Sequence, residues 1–342
     1  MTTAEPRRAA PGGASWSRRA LALGIGLVLL VAAVAASLMA GSKATSATDV
    51  WHVLTGVADP YLTEVVRSRY ARTALGVLVG AGLAAAGLLM QAVTRNPLAE
   101  PGLLGINMGA AAAIVTATAF LGFHGGTGTV WWALPGAVVA GLVVHVIGVA
   151  GARSGMVRLV LAGAVVSAVL SAYIQAITLS LPKVFDSYRH WVVGSLAGSS
   201  FATLLAVLPF TLVGVVLAVV LAPALNVLAL GEETATAVGV NAPLVRAGGL
   251  VAAILLSAAA TAAVGPVAFV GLAVPHIVRA LVGADFRVQI PFALLFGPSM
   301  LLAADAVGRV LIRPQELMVG VVSAFIGVPF LLYAVRTMRG DG

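Results

Sequence analysis

The sequence has very little charge to place on a surface. Of its 342 residues only 9% are Asp, Glu, Lys or Arg and 60% are apolar, whereas a soluble domain carries roughly a quarter charged residues. There are too few polar groups to cover a water-soluble globule, so much of the outer surface must face lipid. Cysteine is absent, which excludes disulfides and a thiolate metal centre. Lysine occurs only at Lys43 and Lys183, and no G-x-x-x-x-G-K-[ST] stretch is present, so the chain cannot cradle a nucleotide in a P-loop. The histidines at 52, 124, 145, 190 and 276 show no metal-ligand spacing, and no Ser/His/Asp set or acidic pair suggests hydrolysis. The expectation is a non-enzyme with no catalytic residue, no metal site, no cofactor of its own and no nucleic-acid partner.

Long uncharged runs fill the chain instead. Residues 20–42, 73–94, 101–152, 159–182, 190–231, 247–278, 288–304 and 317–335 contain no Asp, Glu, Lys or Arg. About 20 apolar residues cross a bilayer core as a helix. These runs are rich in Leu, Ala, Val and Gly and lack the period-2 alternation of barrel strands, which leaves helices as the spanning structure. Turn signals divide them further: GFHGGTG at 122–128, WVVGSLAGSS at 191–200 as an external segment, and Gly265-Pro266. An all-α polytopic membrane protein results, with ten crossings near 20–41, 71–94, 102–121, 130–151, 159–181, 202–222, 244–264, 268–283, 290–308 and 317–336. Residues 1–19 and 337–342 are tails flanking a single transmembrane domain, 20–336. The apolar stretch after Arg18 and Arg19 is too long for a secretory h-region and reads as the first membrane helix.

With both termini in the cytoplasm, eight basic residues fall outside: Lys43, Arg67, Arg69, Arg72, Lys183, Arg189, Arg309 and Arg313. The other twelve of the 20 fall inside, the bias the positive-inside rule requires. Arg67, Arg69 and Arg72 cluster at one outer site, Arg309 and Arg313 at another. Such an outer face suits an acidic partner or an anionic ligand. Trp131, Trp132 and Trp191 are expected at the membrane interface, and His276 is expected to satisfy a backbone group beside a helix break.

Three stretches are distinctive. RSRYARTALGVLVGAGLAAAGLLMQAVTRNPLAEPGLLGINMGA (67–110) carries Gly76, Gly80, Gly82 and Gly87, which permit close helix approach, and stops at Asn96-Pro97. LNVLALGEETATAVGVNAPLVRAGG (225–249) is a polar, two-carboxylate interruption between apolar spans. GPVAFVGLAVPHIVRALVG (265–283) continues through LLAADAVGRVLIRPQELMVGVVSAFIGVPF (301–330). In order and spacing these stretches resemble the FecCD family, the permease subunits of type II ABC importers for iron–siderophores, haem and cobalamin, across nearly the whole chain after residue 60.

The resemblance implies a cytoplasmic (plasma or inner) membrane location and several partners. These are a second permease subunit, identical or paralogous, two ABC ATPases that bind ATP and Mg, and an extracytoplasmic substrate-binding protein that delivers the metal chelate. It implies an ATPase-coupling loop at about 225–243, with Leu230, Gly231, Glu232, Glu233, Ala235 and Gly239 as its residues. It makes Arg69, Arg72 and Arg309 the contacts for carboxylates of the binding protein, a role suited to the planar guanidinium fork. Arg309 also lies four residues after Asp305, where it can pair along its own helix. Asn96 and Leu98 match one cytoplasmic gate. Met156 and Val157 fall at the other, where this chain has apolar residues in place of small hydroxylated ones. QELMVG (315–320) has Met318 where the family usually has proline. An iron–siderophore is the expected cargo, with haem or cobalamin as alternatives. The competing class, an ion-coupled secondary transporter, calls for ionisable groups near the midplane, and the apolar runs hold almost none.

Overall fold

The protein, as a computed structural model, is described over residues 16–41, 45–123, 126, 128–149, 156–313 and 315–339. The side chains of residues 149, 156 and 330–339 lie outside that description, as do most of the N-terminal tail and part of the GFHGGTG break. Thirteen α-helices run along it: α1 (Trp16–Met39), α2 (Ala47–Leu54), α3 (Pro60–Thr94), α4 (Ile106–Phe120), α5 (Thr129–Val149), α6 (Met156–Ser180), α7 (Pro182–Trp191), α8 (Phe201–Ala229), α9 (Glu232–Ala237), α10 (Ala242–Val264), α11 (Val270–Val282), α12 (Phe286–Leu311) and α13 (Val319–Arg339). A 3₁₀ turn, Pro101–Leu104, precedes α4.

Seven helices, α1, α3, α5, α6, α8, α10 and α12, are long and apolar enough to cross a membrane. The shorter apolar helices α4, α11 and α13 complete the ten expected crossings. The extra helices α2, α7 and α9 are connections.

Local chemistry sets the ends. Asp59 caps α3 by accepting from the Leu62 amide at 2.9 Å, with Pro60 in the first turn, where a missing N–H costs nothing. Ser46 and Asp49 form a reciprocal capping box on α2, and Ser200 and Asn241 cap α8 and α10. Helix α3 ends in a left-handed Arg95 just before Asn96-Pro97.

Two boundaries differ from expectation. Helix α3 starts at Pro60 rather than near 71, which makes 35 residues, about 52 Å at 1.5 Å per residue, so it projects well beyond the bilayer core. Helix α8 continues through Pro223 to Ala229, so the first residues of the 225–243 stretch are helix rather than loop. A proline is tolerated there because neighbouring groups in a bundle satisfy the freed carbonyl.

At the centre, α3 and α10 are buried along most of their length, and α3 packs against α8, α10, α11 and α12. Helices α1, α6 and α8 are largely exposed. Packing of the centre depends on absent side chains. A Cβ on Gly87 would overlap the Gly271 carbonyl, and one on Gly80 would lie 2.7 Å from the Gly297 carbonyl oxygen. With no hydrophobic drive between helices in lipid, such backbone contact supplies the van der Waals attraction that holds them. Gly82 differs, with its nearest neighbour atom 3.6 Å away.

Candidate functional site

The predicted residues gather at opposite ends of the bundle. At the end formed by the start of α1, the end of α3 and the end of α8, the chain turns through α9. Gly231 enters it at φ 126°, a left-handed value that favours glycine, and Gly239 leaves it at φ 82°. Ala235 is fully buried, while Leu230 is 72% exposed and Glu232, Glu233 and Gly239 are also exposed. Helix α9 packs on both α8 and α10, and Glu232 pairs with Arg246 of α10 at 2.9 Å. The base beneath it is tied. Arg95 donates to the Leu228 carbonyl at 2.7 Å. The Asn226 amide donates to Asp285 at 2.6 Å and accepts from the Phe286 N–H at 2.8 Å. A short polar element is thus seated on two spanning helices, α8 and α10, with exposed carboxylates.

The residues expected to form the gate lie at the same end. Asn96 closes an Asx turn by accepting from the Leu98 N–H at 2.9 Å, and both side chains are half-buried. Asn96 shares a small apolar cavity with Leu103, Leu159 and Val160, so the 96–104 turn stands beside the first turns of α6. Val157, in that first turn, is 71% exposed. The Met156 side chain is outside the described residues.

The three arginines meet at the other end, and much of their bonding is internal. Arg309 is 1% exposed. It donates to the carbonyls of Ser37 and Ala40 at 2.9 and 2.7 Å and to the Ser37 hydroxyl at 2.9 Å, and pairs with Asp305 at 2.8 Å. Arg69, 7% exposed, donates to the Leu38 and Met39 carbonyls at 2.7 and 2.9 Å and to Thr45 Oγ1 at 2.8 Å. Two guanidinium groups therefore cap the last carbonyls of α1, where the helix dipole favours a cation. Arg72 grips Asp305 bidentately, at 3.1 and 2.7 Å, and reaches Glu316 at 2.8 Å.

Around this network a recess of about 470 Å³ opens, lined by Ser68, Arg69, Arg72, Ser199, Arg309 and Glu316 among others. Exposed Arg67 and Arg313 stand at the same end. Sequence reasoning did not assign Glu316 or the α1 carbonyls to this cluster, because nothing local marks an acceptor contributed from a distant part of the chain. His276 matches expectation, with Nδ1 2.9 Å from the Leu272 carbonyl. Trp131 and Trp132 are exposed, and Trp191 is half-buried, with one side packed against the core.

Ten apolar helices around a glycine-packed centre, with a short polar element at one end and an arginine-lined recess at the other, define a multi-pass membrane permease. The chain belongs to the FecCD transport family, whose model matches residues 29–337, and it is a permease subunit of an ABC importer. It is 45% identical over 326 residues to the ferric enterobactin transport system permease protein FepD of Escherichia coli (strain K12), covering 95% of this chain and 97% of that one. It is 40% identical over 271 residues to the Fe(3+)-citrate import system permease protein YfmD of Bacillus subtilis (strain 168), covering 79% and 80%. Its fold is similar to a solved metal-chelate type ABC transporter in an inward-facing conformation, at TM-score 0.77 and 28% identity, covering 93% of this chain and 99% of that one.

Proposed function

We propose that this chain is one permease half of an importer for an iron–siderophore or a closely related metal chelate, driven by ATP hydrolysed with Mg on separate ATPase subunits. The observation that carries the cargo is its 45% identity, nearly end to end, to a permease for ferric enterobactin. Haem or cobalamin would use the same mechanism.

In this reading α9, with Leu230, Gly231, Glu232, Glu233, Ala235 and Gly239, is the surface that seats an ATPase. Its support is mechanical. A short helix buried through Ala235 and braced by Glu232–Arg246 transmits a push to α8 and α10 as a rigid body. The Asn96–Leu98 turn and the start of α6 at Met156 and Val157 are the gate, and they lie at the same end as α9. That end is cytoplasmic, together with both termini, as the basic-residue bias requires.

The arginine recess then faces outward and receives carboxylates of a substrate-binding protein. Arg69, Arg72 and Arg309 all line the recess, and Arg69 and Arg309 also hold the end of α1 in place. The chain works in the plasma or inner membrane beside a second permease subunit.

Co-purification tests the coupling surface. With the transporter's ATPase subunit co-expressed, Glu233→Arg and Glu232→Arg should each lower recovered ATPase roughly tenfold, about 1.4 kcal/mol of association, while the permease still elutes monodisperse. Glu233→Arg is the cleaner of the two, because Glu232 also braces Arg246. Full ATPase recovery with both variants would sink the assignment of α9.

A further inference from the structure

The turn between α3 and α4 does not stay at the end of the bundle. It climbs back along α3, so that Glu100 and Leu83 line the same small chamber. Leu83 precedes Thr94, the last residue of α3, by eleven residues, about 16 Å of helix. Glu100 is therefore a carboxylate at membrane depth, a placement that is costly unless the charge is matched.

The chamber is small and polar. Glu100, Asn107, Ser257, Thr261 and the 267–269 segment enclose about 20 Å³, room for one water-sized occupant. Thr261 Oγ1 donates to Asn107 Oδ1 at 3.0 Å, and the Phe269 N–H donates to Glu100. Phe269 holds φ at 70°, an outlier for a bulky side chain, and such strain gathers where surrounding structure imposes it for a purpose. Ser257 is 2% exposed, lines the chamber, and its hydroxyl has no hydrogen-bond partner among the described residues. A buried hydroxyl left so is unfavourable. None of the lining side chains is basic, and Glu100 forms no ion pair among the described residues.

One carboxylate without an ion pair among the described residues and three neutral side chains carrying oxygen, Asn107, Ser257 and Thr261, form a donor set for a hard cation. A water would fill the space without matching the charge, and one carboxylate is too few for a divalent ion, which gathers several. We infer that this chamber binds a single monovalent cation of sodium's size, with Glu100 as the charged ligand and Asn107, Ser257 and Thr261 as neutral ligands. The ion ties the 95–105 turn to α4, α10 and the 265–269 break. That turn also carries Asn96 and Leu98, so occupancy fixes the position of the gate turn.

Equilibrium binding of radiolabelled sodium to the purified full-length chain in detergent, with choline as the replacing cation, tests the site. The expected result is saturable binding approaching one sodium per chain, abolished by Glu100→Gln and weakened roughly tenfold by Ser257→Ala, the scale of one lost ligand interaction. Ser257→Ala changes neither charge nor packing appreciably, so it decides the matter even if the Glu100 variant does not fold. Monodisperse elution checks each preparation. No saturable binding by the unaltered chain, or binding that Ser257→Ala leaves unchanged, overturns the site.

Discussion

Asp305 joins two arginines in a buried ion network. Its side chain is 1% exposed and holds Arg72 at 2.7 Å and Arg309 at 2.8 Å, and those two arginines in turn reach Glu316 and the end of α1. Removing one member of a buried ion network strands the others without compensation, at a cost of about 3–5 kcal/mol. Asp305→Ala should therefore lower stability by about that amount in denaturant unfolding of the detergent-solubilised chain. Arg67→Ala, at an exposed position on the same helix as Arg72, should change it by less than about 0.5 kcal/mol. Equal effects would show that the network contributes nothing. The sequence disclosed half of this cluster. The spacing of four between Asp305 and Arg309 is legible on any helix, and the pair forms. That Arg72, 233 residues from Asp305, joins it is a fact of tertiary packing with no local trace. The same holds for the α1 carbonyls that occupy Arg69 and Arg309.

At the scale of elements, breakers are more legible in the sequence than beginnings. Asn96-Pro97, Gly231 and Gly265-Pro266 end or separate helices where the chain chemistry requires it, because proline and positive φ constrain the backbone locally. The sequence puts the start of α3 eleven residues late, since Arg67, Arg69 and Arg72 end the apolar run and charge reads as the edge of a membrane helix. Here the Asp59-Pro60 cap starts the helix earlier, and internal acceptors hold two of the three arginines, Arg69 and Arg72. Glycine spacing along α3 pointed to tight packing but not to which glycines use it. Gly87 and Gly80 meet other backbones, whereas Gly82 has room. Gly87→Ala should therefore lower the apparent melting temperature by several degrees and broaden the elution profile, because the added methyl overlaps the Gly271 carbonyl. Gly82→Ala should leave both unchanged. The reverse ranking would mean that α3 and α11 do not pack as described.

For the whole molecule, composition alone fixed the environment, since a chain with 9% charged residues has no aqueous fold open to it. Ten crossings followed from run lengths and breakers. The depth of Glu100 did not, because a loop that re-enters a bundle has the same sequence as one that skirts it. The account's central claim is that this permease moves a metal chelate only when an ATPase acts through α9. The most direct measurement is uptake of labelled ferric siderophore into proteoliposomes holding this chain, its partner permease, the ATPase and the binding protein, with and without ATP. The account predicts uptake that requires ATP and falls roughly tenfold or more with Glu233→Arg while the permease remains inserted and folded. Uptake that proceeds equally without ATP or without the ATPase subunit would contradict it and assign the chain to secondary transport.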